Sequence, residues 1–215
     1  SDVYKRQGYD GVIAVMLSGG LSGTYNMVRL LAEERQDLTI RVYDSVSGSL
    51  GVGMTILQLA EDLRAGASWE YLTERRVPSL IRNTHPFFSV DTLEYLQKGG
   101  RIGKITAAAG TVLQIKPLLT FADDGQLRSV AKVRGRQQVI RKLIELTERA
   151  LDGGKRYNLA VANGGAPEAM ETLRSQLTAA LPDADHLWDG EMDGTLSVYI
   201  GDGVLGAAVQ VLEDL

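Results

Sequence analysis

The chain has 215 residues, of which 44% are hydrophobic, and it contains no cysteine. This length suits one large globular domain or two small ones; the absence of cysteine excludes disulfides and thiolate metal sites and fits the cytoplasmic location that we expect. The formal net charge of −4 argues against nucleic-acid binding, and no apolar run reaches the ~18 residues of a transmembrane helix.

The first 84 residues predict alternating strands and helices. Apolar runs indicate the strands, whereas apolar residues at helical spacing indicate the helices. Because the order is strand, helix, strand, helix, we expect parallel strands with right-handed crossovers. Pro78 is expected to kink the last helix. The predicted strands are 12–17 and 39–43, and the predicted helices are 26–35, 52–65 and 69–83.

The pattern changes near residue 84, where we expect a domain boundary. The Asp-Asp-Gly sequence at 123–125 separates two apolar runs, which indicates a β-hairpin. A short helix that carries Leu93 and Leu96 is expected to end at Gly99. The remaining predicted strands are 86–90, 115–122, 126–133, 158–162, 186–191 and 196–200, and the remaining predicted helices are 102–113, 137–151, 167–181 and 204–215.

These elements predict an α/β protein with a parallel-sheet domain at 1–84 and a second α/β domain with a β-hairpin at 85–215. The first domain has only two clear strands, although parallel sheets normally have more and are covered on both faces. Either the sheet takes strands from the second part, or part of the domain is missing. Residues 1–7 are polar and carry no initiator Met, so we expect a domain that is incomplete at its N-terminus.

The loop after the first predicted strand is the strongest candidate binding site. Ser18, Ser22, Gly23 and Thr24 lie between an apolar run and a predicted helix. A helix N-terminus offers free N–H groups and a partial positive charge to an anion, glycine permits close approach, and hydroxyls add donors. The alternative is an ordinary turn followed by a helix cap.

A second polar loop follows the second predicted strand at Asp44, Ser45 and Ser49. Ligands of open parallel sheets bind outside the carboxyl ends of the strands. Ser45 and Ser49 are therefore expected on the same sheet edge as Ser18 and Ser22. Asp44 alternatively caps only the turn that follows it.

Three basic residues are candidates for a partner surface or for the entrance of a site: Arg101, Lys116 and Arg134. Arginine binds carboxylates and phosphates well, but isolated surface charges are more often simply solvated. His85 and His186 are the only histidines and show no metal-ligand spacing, so we predict no metal, no cofactor and no catalytic residue.

Several short motifs, taken in order, resemble the DegV family of bacterial fatty-acid-binding proteins. Each motif is short, but their order along nearly the whole chain is specific. They are Ser18 to Tyr25, Asp44-Ser45 with Ser49 and Gly51, Leu93 to Leu96 followed by Gly99 to Ile102, Ile115-Lys116-Pro117, Arg134-Gly135, and Gly203 to Gly206.

The resemblance implies a cytoplasmic, non-enzymatic carrier for one long-chain fatty acid. It also implies that a separate fatty acid kinase phosphorylates the bound acid for phospholipid synthesis. By this likeness Ser18 or Ser22, with Thr24, holds the carboxylate, and Arg101 lies near the mouth or on the kinase-docking face.

Two parts of the family pattern differ. The Thr-Asp-Ser and Thr-Ser-x-Pro-Ser motifs that usually precede the first matching strand are absent, in keeping with an incomplete first domain. Tyr199 stands in place of the histidine of a C-terminal loop, and Asp202 adds a negative charge there. Two alternatives remain: an enzyme that binds a phosphorylated small molecule through the same loops, and a truncated family member without a ligand.

Overall fold

The computed structural model describes residues 7–105 and 115–213. Within these ranges the strands form two separate sheets, one of two strands and one of six. The strands are β1 (Gly11–Met16), β2 (Thr39–Asp44), β3 (Thr84–Ser89), β4 (Ile115–Phe121), β5 (Leu127–Arg134), β6 (Tyr157–Gly164), β7 (His186–Glu191) and β8 (Val204–Val211).

Helices connect most of these strands, and in the described part of the chain none is long and apolar enough to cross a membrane. A π-helical turn, Leu72–Arg76, joins the third helix to the fourth. The α-helices are α1 (Thr24–Glu33), α2 (Leu50–Arg64), α3 (Trp69–Tyr71), α4 (Val77–Arg82), α5 (Glu94–Lys98), α6 (Arg136–Leu151), α7 (Pro167–Ala180) and α8 (Gly194–Ile200).

The smaller sheet confirms the parallel pairing predicted for the first part of the chain. Strands β1 and β2 run parallel from Gly11 opposite Thr39 to Met16 opposite Asp44. No described strand of the six-stranded sheet joins them. Within the described residues, the sheet does not therefore borrow strands from the second part.

The larger sheet is mixed and has the strand order β5-β4-β3-β8-β6-β7. The predicted β-hairpin is confirmed by the antiparallel pair β4 and β5. Strands β6 and β7 are parallel, and the other neighbours are antiparallel. Strand β8 lies between β3 and β6, so the last strand of the chain is central in the sheet.

Two predictions at the C-terminal end were wrong. Residues 196–200, predicted as a strand, lie in helix α8, which begins where the Asp193 side chain accepts a hydrogen bond from the Leu196 N–H. Residues 204–211, predicted as the start of a helix, form β8, whose eight residues are all buried. A strand covered on both faces is continuously apolar, so periodicity does not distinguish it from a buried helix.

Two other helix predictions need correction. Ile102 to Ile105 form a turn rather than the start of the helix predicted for 102–113, and residues 106–114 lie outside the described residues. The expected kink at Pro78 takes the form of a π-helical turn, in which the Val77 N–H bonds to the Leu72 carbonyl. A proline ring clashes with the carbonyl four residues earlier, and a wider turn relieves that clash.

The six-stranded sheet is covered differently on its two faces. Helices α6 and α7 cover one face through an apolar cluster that includes Leu143, Leu173 and Leu205. Helix α2 covers part of the other face, where Met54 packs on Ala160 and Ala208. This second face is the one that carries the candidate site.

Helix α2 also packs against the smaller sheet. Leu59 joins a cluster with Val15 of β1, Leu80 of α4 and Leu212 after β8. The division at residue 84 remains a prediction, and this cluster packs residues from both sides of it. Helix α2 is therefore shared by the two sheets.

A buried hydrogen-bond network also crosses residue 84. Asn158 Nδ2 donates to Gln58 Oε1 at 2.8 Å and to Gln210 Oε1 at 3.1 Å. Gln210 Nε2 donates to Thr84 Oγ1 at 2.8 Å, so α2, β6, β8 and β3 are joined. Gln58 Nε2 in turn donates to Asp62 Oδ1, whose other oxygen accepts from Arg76 Nε at 2.7 Å.

Replacing Gln210 with methionine should destabilise the protein by about 1–3 kcal/mol, because Asn158 Nδ2 and Thr84 Oγ1 each lose one buried hydrogen-bond partner. Chemical denaturation of both proteins measures the change in the free energy of unfolding. Gln176→Met, on the exposed side of α7, is the matched control and should change it by less than about 0.5 kcal/mol. Equal values for the two variants would contradict a structural role for the network.

Candidate functional site

A cavity of about 270 Å³ lies between the loop after β1, the start of α2, the six-stranded sheet and α8. This volume is close to the lower end of the roughly 300–1,000 Å³ range of ligand pockets. Most of the lining side chains are aliphatic or aromatic, and among the described lining residues Arg101 is the only one with a formal charge. The cavity suits a ligand that is apolar over most of its length.

The floor of the cavity is formed by neighbouring residues of three strands, two of which, Gly206 and Ala162, are small. Gly206 of β8 is opposite Phe88 of β3 on one side and Ala162 of β6 on the other, and all three line the cavity. A Cβ at Gly206 would lie 3.5 Å from atoms of Leu50 and Phe88, which is ordinary contact. Gly206 therefore has room for a single methyl group, and a longer side chain would have to displace its neighbours or enter the cavity.

Helix α8 covers the cavity from the opposite side. Leu196, Tyr199 and Ile200 lie at helical spacing and all line the cavity, together with Thr195. Sequence analysis missed Thr195 and Leu196 because it assigned this segment to a strand. The signal that could have identified the helix is Asp193 as an N-cap residue three positions before Leu196.

Helices α5 and α8 pack together through two tyrosine–glycine contacts, and neither glycine lines the cavity. A Cβ on Gly99 would lie 2.6 Å from the Tyr199 ring, and a Cβ on Gly201 would lie 2.6 Å from the Tyr95 ring. Each tyrosine therefore lies against the glycine at the end of the other helix. The position of α8 over the cavity depends on both contacts.

A polar rim, formed by Ser22, Thr24, Arg101 and Tyr199, borders the cavity. The Ser22 and Thr24 hydroxyls share a hydrogen bond of 2.8 Å, and Ser22 Oγ also accepts from the Thr24 N–H. Helix α1 begins at Thr24, and its N-cap residue, Gly23, supplies no side-chain hydrogen bond. The partial positive charge of this helix terminus is thus available to an anion at the rim.

Arg101 joins the parts of the polar rim. Its Nε donates to the Leu21 carbonyl at 3.3 Å, and its Nη1 donates to the Gly99 carbonyl at 2.6 Å. The guanidinium carbon lies 4.7 Å from the centre of the Tyr199 ring, which is a cation–π distance. Arg101 therefore places a positive charge between the loop after β1 and α8.

Ser18 and Ser45, two of the predicted ligand residues, lie outside the cavity lining. Ser18 is completely buried, and its Oγ donates to the Gly125 carbonyl at 2.8 Å while accepting from the Gly20 N–H. Ser45 Oγ donates to the Ser47 carbonyl at 3.0 Å and accepts from the Ser47 N–H. Both hydroxyls are used within the loops.

The hairpin turn packs closely on the loop that contains Ser18. A Cβ at Gly20 would lie 2.5 Å from the Asp124 carbonyl oxygen, and Gly125 has a φ of +73°. Lys104 forms a salt bridge with Asp124. This contact, followed by a hydrogen bond from the Gln126 N–H, holds the pKa of Asp124 below its usual range.

Asp44 caps the turn after β2, as the alternative predicted, but it also binds the loop after β1. Its carboxylate accepts hydrogen bonds from the Gly19 and Val46 N–H groups. Of the predicted ligand residues in the second polar loop, Ser49 lines the cavity, beside Gly48, whereas Ser45 does not. Ser49 is the N-cap residue of α2 and has a φ of +47°.

The other charged candidates lie away from the cavity. Lys116 Nζ is 2.9 Å from Asp91 Oδ1, and Arg134 is exposed at the end of β5. Asp202, expected to place a negative charge near the ligand, is exposed and lies against Gly165. It is not among the described residues that line the cavity.

The two histidines also lie outside the lining. His85 is on β3, where burial lowers the pKa of its imidazole, and His186 pairs with Glu61 at 3.0 Å. In the described ranges, no group of three or more His, Cys, Asp or Glu side chains is placed to hold a metal ion.

Comparison with known proteins identifies the family. The sequence profile described as "Uncharacterised protein, DegV family" matches residues 1–211. The chain belongs to the DegV family. It is 34% identical over 203 residues to a DegV domain-containing protein of Clostridium acetobutylicum, covering 94% of this chain and 71% of the relative. A relative from Clostridium perfringens is 33% identical over 210 residues, covering 97% and 73%.

Solved DegV structures share the fold. A fatty-acid-binding DegV family protein from Thermus thermophilus superposes with a TM-score of 0.89 at 30% identity, covering 98% of this chain and 75% of that protein. A DegV family protein from Eubacterium eligens, loaded with heptadecanoic acid, superposes with a TM-score of 0.82 at 25% identity, covering 94% and 73%. The predicted family and α/β fold class are confirmed.

Replacing Ser18 with alanine should destabilise the protein by about 1–3 kcal/mol, because the buried Gly125 carbonyl and the Gly20 N–H lose their partner. Chemical denaturation measures the loss. Ser175→Ala, on the exposed surface of α7, is the control and should stay within about 0.5 kcal/mol of the parent. If Ser18→Ala unfolded at the same denaturant concentration as this control, the loop would not depend on the Ser18 hydroxyl.

Proposed function

We propose that this protein binds one long-chain fatty acid and presents its carboxylate to a separate fatty acid kinase. The acyl chain lies in the cavity, and the carboxylate lies at the polar rim. The observation that carries the proposal is an apolar cavity bordered by the Ser22 and Thr24 hydroxyls, the N-terminus of α1 and Arg101. Solved DegV relatives described as fatty-acid-binding or loaded with an acid support it.

The acyl chain supplies most of the affinity. Each buried methylene contributes about 0.8 kcal/mol, so a long chain stabilises the complex strongly without any polar contact. The rim provides orientation, because hydrogen bonds from Ser22 and Thr24 to a carboxylate are charge-assisted and are further favoured by the dipole of α1. Arg101 balances the negative charge, and Tyr199 offers one more hydroxyl donor.

The lining favours a carrier over an enzyme. Among the described residues that line the cavity there is no His, Asp, Glu, Lys or Cys, so the usual general bases and strong nucleophiles are not at the ligand. The kinase must then supply the chemistry. An oxygen of the bound carboxylate attacks the γ-phosphorus of ATP, the bond to the ADP oxygen breaks, and the products are an acyl phosphate and ADP.

The proposed phosphoryl transfer requires the carboxylate to be reachable from outside. Gly23 is exposed beside the polar rim, and Ser22 is half-buried. We place the kinase contact on this side of the protein, where Arg101 lies. Lys116 and Arg134 are proposed as outlying parts of the same partner surface.

The purified protein should carry co-purified long-chain fatty acid, which mass spectrometry of an organic extract would detect. A double Ser22→Ala and Thr24→Ala variant should bind oleate about tenfold more weakly, because the hydrogen-bonded hydroxyl pair that donates to the carboxylate is lost. Displacement of a fluorescent fatty acid measures this affinity.

Ser175→Ala is the control for the double variant and should bind oleate like the parent. A folded protein without fatty acid in the extract and without affinity for oleate would overturn the proposal. Thermal stabilisation by phosphate esters but not by oleate would instead favour an enzyme that acts on a phosphorylated small molecule.

Blocking the floor of the cavity should abolish binding without touching the polar rim. Gly206→Leu places side-chain atoms above the floor and should weaken oleate binding at least about tenfold, because methylenes lose their buried positions. Gly206→Ala is the matched control, since its Cβ makes only ordinary contacts. Circular dichroism verifies the fold of both variants, and unchanged binding by a folded Gly206→Leu would place the acyl chain elsewhere.

A further inference from the structure

One face of β8 is apolar near the cavity and becomes polar toward the end of the strand. Val204, Gly206, Ala208 and Gln210 alternate with residues on the opposite face, so they lie in a row on the face toward α2. Val204 and Gly206 line the cavity, whereas Ala208 is completely buried. Gln210 belongs to the buried hydrogen-bond network. The row therefore leads from the cavity to a polar region.

Met54 covers this row at Ala208, the next position of the row after the lining residue Gly206. Its side chain is only 1% exposed and packs on Ala160 and Ala208. Leu50, one helical turn earlier on α2, packs against the same cluster and lines the cavity. Pro86, opposite Ala208 in the sheet, also lines the cavity. Met54 thus occupies the space directly beyond the cavity wall.

The region behind Met54 is closed to an acyl chain for a different reason. Gln58, one turn later on α2, accepts a hydrogen bond from Asn158, which also donates to Gln210. An acyl chain that reached this far would have to break buried hydrogen bonds that hydrocarbon cannot replace. Met54 takes no part in these hydrogen bonds, so its side chain can vary without removing any of them.

We infer that Met54 sets the maximum length of the acyl chain that the cavity accepts. This inference rests on the proposed fatty-acid binding and adds the residue that determines its specificity. The unbranched thioether side chain of methionine adapts to irregular space, and here it fills the volume over Ala160 and Ala208, next to the lining residue Leu50. A shorter side chain at this position would lengthen the cavity toward Gln58.

The test compares acyl-chain preference in the full chain with that of Met54→Ala. Each protein is incubated with an equimolar mixture of myristic, palmitic, stearic and arachidic acids, and the bound acids are extracted and quantified by mass spectrometry. Met54→Ala should shift the bound population toward longer acids, by about fourfold in relative affinity for each methylene that gains a buried position.

Two further variants keep the test decisive. Leu143→Ala removes a buried side chain on the other face of the sheet and should leave the preference unchanged, which controls for general loosening of the core. Met54→Leu is nearly volume-conserving and is expected to fold, so it should show a smaller shift in the same direction if Met54→Ala is unstable.

The outcomes separate this inference from the proposed function. A folded Met54→Ala that binds fatty acid with the parent's chain-length preference would overturn the role of Met54 and leave fatty-acid binding intact. A shift of equal size in Leu143→Ala would also overturn it. Absence of bound fatty acid from the parent protein would overturn the proposed function itself.

Discussion

Helix α2 has to pack against two sheets at once, and the cavity exists because of this constraint. Met54 on one side of the helix lies on Ala160 and Ala208 of the larger sheet, while Leu59 packs with β1 and α4. Gln58, between them, is tied to the larger sheet by a buried hydrogen bond. Because these contacts fix the helix over one end of the sheet, the other end is left for the loop after β1 and for α8 to cover.

The polar rim and the floor have separate physical tasks. The floor is apolar, so under the proposed function its contribution to binding would come from water released by an apolar ligand. The rim instead contributes directed interactions from Ser22, Thr24 and Arg101. Ser18, which sits in the same loop, is used to hold the hairpin turn through Gly125, and this bond positions the rim without contacting the cavity.

Sequence analysis found the parts of this protein that have local signals. The parallel β1–β2 pair, the hairpin and most helices follow from periodicity and turn residues. It predicted β8 as a helix, because a strand buried on both faces has no alternating pattern. It predicted α8 as a strand, because this short helix has a Leu-Ser-Val-Tyr-Ile sequence that favours a strand. It placed Ser18 and Ser22 in one loop, but it could not show which way each hydroxyl points. Ser22 lines the cavity, whereas Ser18 is buried against Gly125.

The reciprocal tyrosine–glycine contacts of α5 and α8 make two glycines part of the binding apparatus although neither lines the cavity. A side chain at Gly99 would meet the ring of Tyr199, and one at Gly201 would meet the ring of Tyr95. Even an alanine at either position would push a tyrosine ring aside and would thereby displace α8, the helix that covers the cavity. These two glycines therefore constrain the position of α8, and with it the shape of the cavity, although neither is a lining residue.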